Sequence, residues 1–358
     1  MFFLGLLLPI CYIAGYTGIS IPTQWAVLLV YLGTVFWWQG GKLHWAAIGF
    51  LGYAALSLLW SPDYGFGVMI AVVWVVSFWY GSTLDDLTEL WQGLAIGMTV
   101  NSGVAIAQWL GYRPVLSEGI GGLLFSPVLL GTCAALVIVA LVCNRMWWFI
   151  PGLLPALWLS HSRGAWVVLG LSLVARYLGW VIPVVLLVIA GAVALVIQLN
   201  PSDFVRLQFW AVAIHGMTIF GNGAGAFNSI YLDHIGYLTH AENVHNDYLQ
   251  LVYEYGIFSI IPLAWWAIGF THVRSRYWTV LFAFSVLALF YFPLYSPIPA
   301  FIGCIVAGHI LRIDVAMRAM RNDWRSYFLA RPEKWGSVPR AAGLVDIPDF
   351  PRTPIPHH

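Results

Sequence analysis

The feature that most constrains this chain is a succession of long apolar runs, beginning almost at the first residue and continuing to about residue 313 with few charges between them. An α-helix needs roughly 20 apolar residues to cross the hydrocarbon core of a bilayer, and there every backbone polar group must be satisfied within the segment. About twelve segments come near that length. They run over 3–18, 24–39, 44–60, 66–81, 88–110, 123–143, 146–160, 164–178, 179–198, 248–270, 277–292 and 298–313. Charged residues make up only 9% of the chain, where a soluble domain carries about 25%. The expected fold is therefore all-α and polytopic, with residues 1–313 in the membrane and 314–358 as a polar, basic cytoplasmic tail.

The first segment has no basic start and no small-residue cleavage site, so it reads as a retained span rather than a signal peptide. Cys11, Cys133, Cys143 and Cys304 lie in apolar segments without metal or redox spacing and read as packing residues. The net charge of +1 gives no indication of nucleic acid as a partner. Tryptophans such as Trp37, Trp60, Trp147 and Trp265 fall near span ends, as an interfacial belt requires.

Charge placement suggests the orientation. With a cytoplasmic N-terminus, Lys42, Arg145, Arg176, Arg274, Arg276 and the basic cluster from Arg312 onward fall inside, in keeping with the positive-inside rule. Residues 199–247 then form one long external loop between spans nine and ten. Only Arg113, Arg163 and Arg206 remain outside, against the bias. The planar guanidinium suits bidentate contact with phosphate, so these three arginines suggest a phosphate-bearing ligand. The plainer alternative is pairing with Glu118, Asp203 or Asp233.

The external loop closes on the polar stretch Glu242 to Gln250, and that placement makes His245 the residue to explain. An imidazole titrating near pH 6.5 is available as a base at neutral pH, and a helix N-terminus with nearby arginines disfavours its protonated form. Asp247 or Glu254 would act in the opposite direction and could orient the ring. His215, His234 and His240 read as solvated loop residues, whereas His161, beside Ser162-Arg163, is a second candidate for contacting phosphate or acceptor. The run Gly221–Gly225 lacks the Lys-Ser/Thr pair of a nucleotide loop and reads as a tight turn bringing backbone close to membrane or ligand. Glu254 lies two helical turns beyond Asp247 on the same face, and a carboxylate at that depth is expected to pair with an arginine, the alternative being a direct catalytic role. Asp247 with Gln250 also fits a helix N-terminal cap pair.

Four motifs occur in order: Ser162-Arg163-Gly164-Ala165-Trp166; Arg206-Leu207-Gln208-Phe209-Trp210; Gly221-Asn222-Gly223-Ala224-Gly225-Ala226-Phe227; and His245-Asn246-Asp247-Tyr248-Leu249-Gln250 with Glu254 and Gly256. Together they resemble the O-antigen ligase and polymerase superfamily over about residues 160–260, while the first 150 residues resemble it by hydropathy alone. The resemblance implies a GT-C-like membrane glycosyltransferase on the external face of a bacterial inner membrane. It would transfer a glycan from undecaprenyl diphosphate to lipid A core or another glycan acceptor, with inversion and without a cofactor, metal or nucleotide sugar. His245 would be the general base and Arg163, Arg206 and Arg113 the diphosphate contacts. His161, Asn246, Asp247, Glu254, Gly223 and Gly225 would support them.

Two departures, Ser259 where a ligase-like pattern has glycine and Trp210 where it has leucine, leave the superfamily resemblance standing but weaken ligase against polymerase. The single large loop favours ligase. A secondary transporter would show broken or charged mid-membrane segments and an internal repeat, neither of which is evident in the sequence. A non-catalytic membrane protein that binds lipid headgroups could use the same arginines but would not need His245.

Overall fold

The computed structural model describes residues 2–8, 45–62, 64–112, 119–124, 126–179, 181–182, 201–234, 237–241, 243–270, 276–296 and 298–312. The expected spans at 24–39 and over most of 3–18 and 179–198 lie outside these residues, as do Arg113, Glu118, Glu242 and the tail 314–358. All described residues belong to the compact unit Met1–Asp314.

The fold is helical, with one short hairpin among the described residues. In chain order the helices are α1 (Phe2–Leu7), α2 (Trp45–Ser57), α3 (Tyr64–Thr83), α4 (Thr88–Trp109), α5 (Pro127–Cys143), α6 (Ile150–Leu159), α7 (Arg163–Leu178) and α8 (Pro201–His215). Strands β1 (Ile230–His234) and β2 (Tyr237–Ala241) pair antiparallel, with Ile230 opposite Ala241 and His234 opposite Tyr237. Then come α9 (Asp247–Tyr255), α10 (Ile260–Phe270), α11 (Trp278–Phe290) and α12 (Ile298–Arg312). Thr88–Trp109 and Asp247–Ile268 are long and apolar enough to cross a membrane, by length and composition. The other apolar helices are shorter.

Local chemistry explains the main boundaries. Pro127 opens α5 from the extended Ser126, with its fixed φ ready for a first turn. From Leu129 to Cys143 every α5 side chain is buried, which marks a helix packed on all sides. Ser162 caps α7, accepting from the Ala165 N–H, and Gly179 ends it at φ 90°. The described residues of the segment 199–247 are more structured than the loop its low hydropathy suggested. Phe209 and Ala213 form a short apolar face on α8 that packs with Phe227 and Val244. A hydropathy window averages such a one-sided face away.

Contacts among helix termini define two ends of the bundle. At one, the Tyr277 hydroxyl lies 3.1 Å from Asn144 Oδ1 and 3.2 Å from Asp86 Oδ1, and Arg276 pairs with Asp86. Arg312 donates to Asp85 at 2.5 Å and to the Thr83 carbonyl at 2.6 Å. The Arg176 and Arg276 charges both reach Cys143, so the C-terminus of α7 belongs to this end. These ion pairs are largely exposed and contribute orientation more than stability. Helix α7 therefore carries Arg163 to the opposite end, and α11, about 20 Å long, delivers Phe290 there.

The glycine run packs against the C-terminal end of α9. Asn222 N–H donates to the Tyr253 carbonyl at 2.9 Å and Gly223 N–H to the Glu254 carbonyl at 3.0 Å, satisfying acceptors that a helix end leaves open. Gly221 has φ 73°, and a Cβ there would collide with the Glu254 backbone. Gly221→Ala should lower the apparent Tm in detergent, with roughly 1–3 kcal/mol lost from backbone strain alone. Gly170→Ala, in open space on α7, should be neutral or slightly stabilising. Equal melting of wild type and Gly221→Ala would contradict this packing.

Candidate functional site

The site grows from the N-terminus of α9. Asn246, in extended conformation, accepts from the Leu249 N–H at 3.1 Å and caps the helix. Just before it, His245 has φ 57°, a left-handed backbone that residues with a Cβ adopt rarely. That reversal turns the imidazole against α8, where Phe209 stacks parallel to it at 6.1 Å between ring centroids. Phe292, at the end of α11, meets the ring edge-on at 5.1 Å. His245 Nδ1 is buried without a hydrogen-bond partner.

Arg206 lies one turn before Phe209 on α8 and is exposed, and its charge reaches His245. Burial against the two phenylalanines, and secondarily the Arg206 charge, lower the His245 pKa from 6.5 to about 4. At neutral pH the imidazole is uncharged. No described ion pair joins Arg163 or Arg206 to a carboxylate, and the carboxylates of Asp203 and Asp233, like Glu118, lie outside the description.

Below His245, a polar chain runs through the helix. Gln250 Oε1 accepts from the Val244 N–H at 3.0 Å, while Gln250 Nε2 donates to Asn243 Oδ1 at 3.3 Å and Glu254 Oε1 at 3.1 Å. Glu254, completely buried, accepts from the Tyr295 hydroxyl at 2.9 Å and from the backbone N–H groups of Gly225 and Phe227. The arginine expected beside Glu254 is replaced by hydroxyl, amide and backbone donors. Dense hydrogen bonding meets a buried carboxylate as a cation would, and the short turn Pro293–Tyr295 supplies part of it.

Asp247 is equally buried. Its Oδ2 accepts from the Leu294 N–H at 2.7 Å and its Oδ1 has no partner. It therefore neither orients the His245 ring by a direct hydrogen bond nor forms a cap pair with Gln250, since Asn246 is the cap. Gly223 and Gly225, expected near membrane or ligand, face inward: Gly223 against the Glu254 carbonyl and Gly225 toward its carboxylate. Both have left-handed backbones, at φ 98° and 75°.

Arg163 and His161 are exposed at the same end of the bundle, but no described hydrogen bond or ion pair connects them to His245 or Arg206. His161 shares the left-handed backbone, at φ 50°. Phe209, Phe292, Leu294 and Tyr295 were not singled out as site residues in the sequence. The available signal was the proline-interrupted stretch 292–299 between the last two apolar segments. Beside α9 an apolar cavity is lined by Phe50, Trp74, Tyr248, Leu251, Trp266 and Phe284. No group of three or more His, Cys, Asp or Glu able to hold a metal occurs among the described residues. No protein-family model and no curated protein matches the chain.

The buried imidazole links stability to pH. Unfolded, His245 titrates near 6.5; folded, near 4. Between those values the unfolded chain holds the proton and the folded chain does not, so acidification favours unfolding across this window and adds nothing further below it. His245→Asn, which tolerates the left-handed backbone and does not titrate, should lose less apparent Tm than wild type between pH 7 and pH 4.5. Parallel losses would show that His245 titrates normally.

Proposed function

We propose that this protein is an integral-membrane glycosyltransferase of the O-antigen ligase kind, moving a glycan from undecaprenyl diphosphate to an external acceptor such as lipid A core. The observation that carries the reading is the pairing of His245 with Arg206, an uncharged imidazole within electrostatic reach of an exposed guanidinium at the mouth of a broken apolar helix. The four ordered motifs support it, and three of them contribute to the structure around α9. In this reading the chain is polytopic, with about twelve spans, in a bacterial inner membrane with the His245 end outside.

The chemistry needs two things. As the glycosyl–phosphate bond breaks, the departing lipid diphosphate must be met by fixed positive charge where water is scarce, a role for Arg206 with Arg163. The acceptor hydroxyl must lose its proton as it attacks the anomeric carbon, a role for His245. An imidazole with a pKa near 4 is a weak base; burial is the larger cause, and a bound diphosphate beside Arg206 offsets the smaller, electrostatic part.

The test is transfer from purified undecaprenyl-diphosphate glycan in detergent, with lipid A core supplied or omitted. Acceptor-dependent product, lost in His245→Ala, is the expected result. Lengthening of the donor glycan without acceptor would make the protein a polymerase of the same superfamily. Arg206→Lys should lower kcat/KM by about 10- to 100-fold, because a point charge replaces a bidentate fork. Full activity in that variant would remove the diphosphate role. A reporter fused after Gln198 should report an external location, and a cytoplasmic signal would reverse the topology.

A further inference from the structure

The backbone at His245 is held in a conformation it would not keep by itself, and the ring does not hold it. Its Nδ1 lacks a partner and its ring contacts are the apolar Phe209 and Phe292. Among the described residues the charge that reaches it is that of Arg206 from α8; Asp247 follows two residues along the chain, and the Phe292–Tyr295 turn brings no charge. The hydrogen bonds that fix the reversal come from either side. Asn246 caps α9 after it, and the Val244 N–H before it donates to Gln250.

A glutamine amide has one accepting end and one donating end, and the partner of one end decides what the other can do. The Val244 N–H can only donate, which turns Oε1 toward it. Glu254, held as an acceptor by the Tyr295 hydroxyl, takes Nε2 together with Asn243. The contacts form a chain: the Tyr295 turn holds Glu254, Glu254 holds Gln250, and Gln250 holds the residue before His245.

We propose that Gln250 is the positioning residue of His245, an amide held by Glu254 that locks the reversed turn and keeps the imidazole between Phe209 and Phe292 beside Arg206. The importance of this for catalysis rests on the reading of His245 as the base, but the positioning itself does not. Gln250→Met keeps the bulk of the side chain and removes its hydrogen bonds. Tyr295→Phe removes one hydroxyl at the far end of the chain of contacts.

The experiment is an NMR titration of labelled histidine in detergent-solubilised full-length protein, with the His245 signal assigned by its loss in His245→Asn, alongside glycan transfer from undecaprenyl diphosphate. In Gln250→Met the His245 titration should move upward toward the ordinary imidazole value of about 6.5 as the ring leaves its slot. Tyr295→Phe should move it less, in the same direction. Transfer should fall in kcat more than in KM, by about a hundredfold in Gln250→Met. An unchanged His245 titration in Gln250→Met would overturn the proposal, and if that variant fails to fold, an unchanged titration in Tyr295→Phe does so. A shifted titration with no transfer by wild type would uphold the positioning and remove the glycosyltransferase reading.

Discussion

Glu254 is the constraint on which the rest of the site depends. A carboxylate with no exposed surface must be compensated, and with no described cation beside it the compensation falls to hydrogen-bond donors from three separate parts of the chain. Gln250 comes from its own helix, Tyr295 from the turn between α11 and α12, and Gly225 and Phe227 from the glycine run. Each donor fixes the segment that carries it. Removing one leaves a buried acceptor short by about 1–3 kcal/mol, so the segments are held together by a shared requirement as well as by apolar contact. The break in the apolar helix at Gly256 belongs to the same arrangement, because the freed carbonyls of Tyr253 and Glu254 are taken by Asn222 and Gly223.

Much of the scaffold was legible in the sequence because long apolar runs leave few choices. The segment expected at 88–110 is the helix Thr88–Trp109, that at 164–178 is Arg163–Leu178, and that at 298–313 is Ile298–Arg312. The site was legible only in part. His245 and Arg206 were marked by motif and by the rarity of charge, and the structure brings them within electrostatic reach. The environment of Glu254 was misjudged, since rules for buried carboxylates favour a cation and cannot show that a turn some forty residues away supplies a hydroxyl. Phe292 escaped notice, and Phe209 entered only as a motif position, because an aromatic residue beside a histidine in space looks like any other aromatic in a chain with 21 phenylalanines. The α8 helix was hidden for a related reason, its apolar face being short and one-sided.

The two left-handed histidines invite comparison. His161 and His245 both precede a helix cap, Ser162 and Asn246, and both helices start at the same end of the bundle. Only His245 is drawn into an aromatic slot and coupled to an arginine; His161 stays exposed. Burial, rather than backbone form, therefore separates a reactive candidate from an accessory one, since it keeps the imidazole neutral, with the Arg206 charge acting in the same direction.

The central claim is that Arg206 holds the donor while His245 performs chemistry on the bound complex. The most direct test is binding of undecaprenyl-diphosphate-linked glycan to purified His245→Asn and Arg206→Gln. The account predicts near-wild-type affinity and no product for His245→Asn, with weakened binding for Arg206→Gln. Normal turnover by His245→Asn, or unaltered binding by Arg206→Gln, would contradict it.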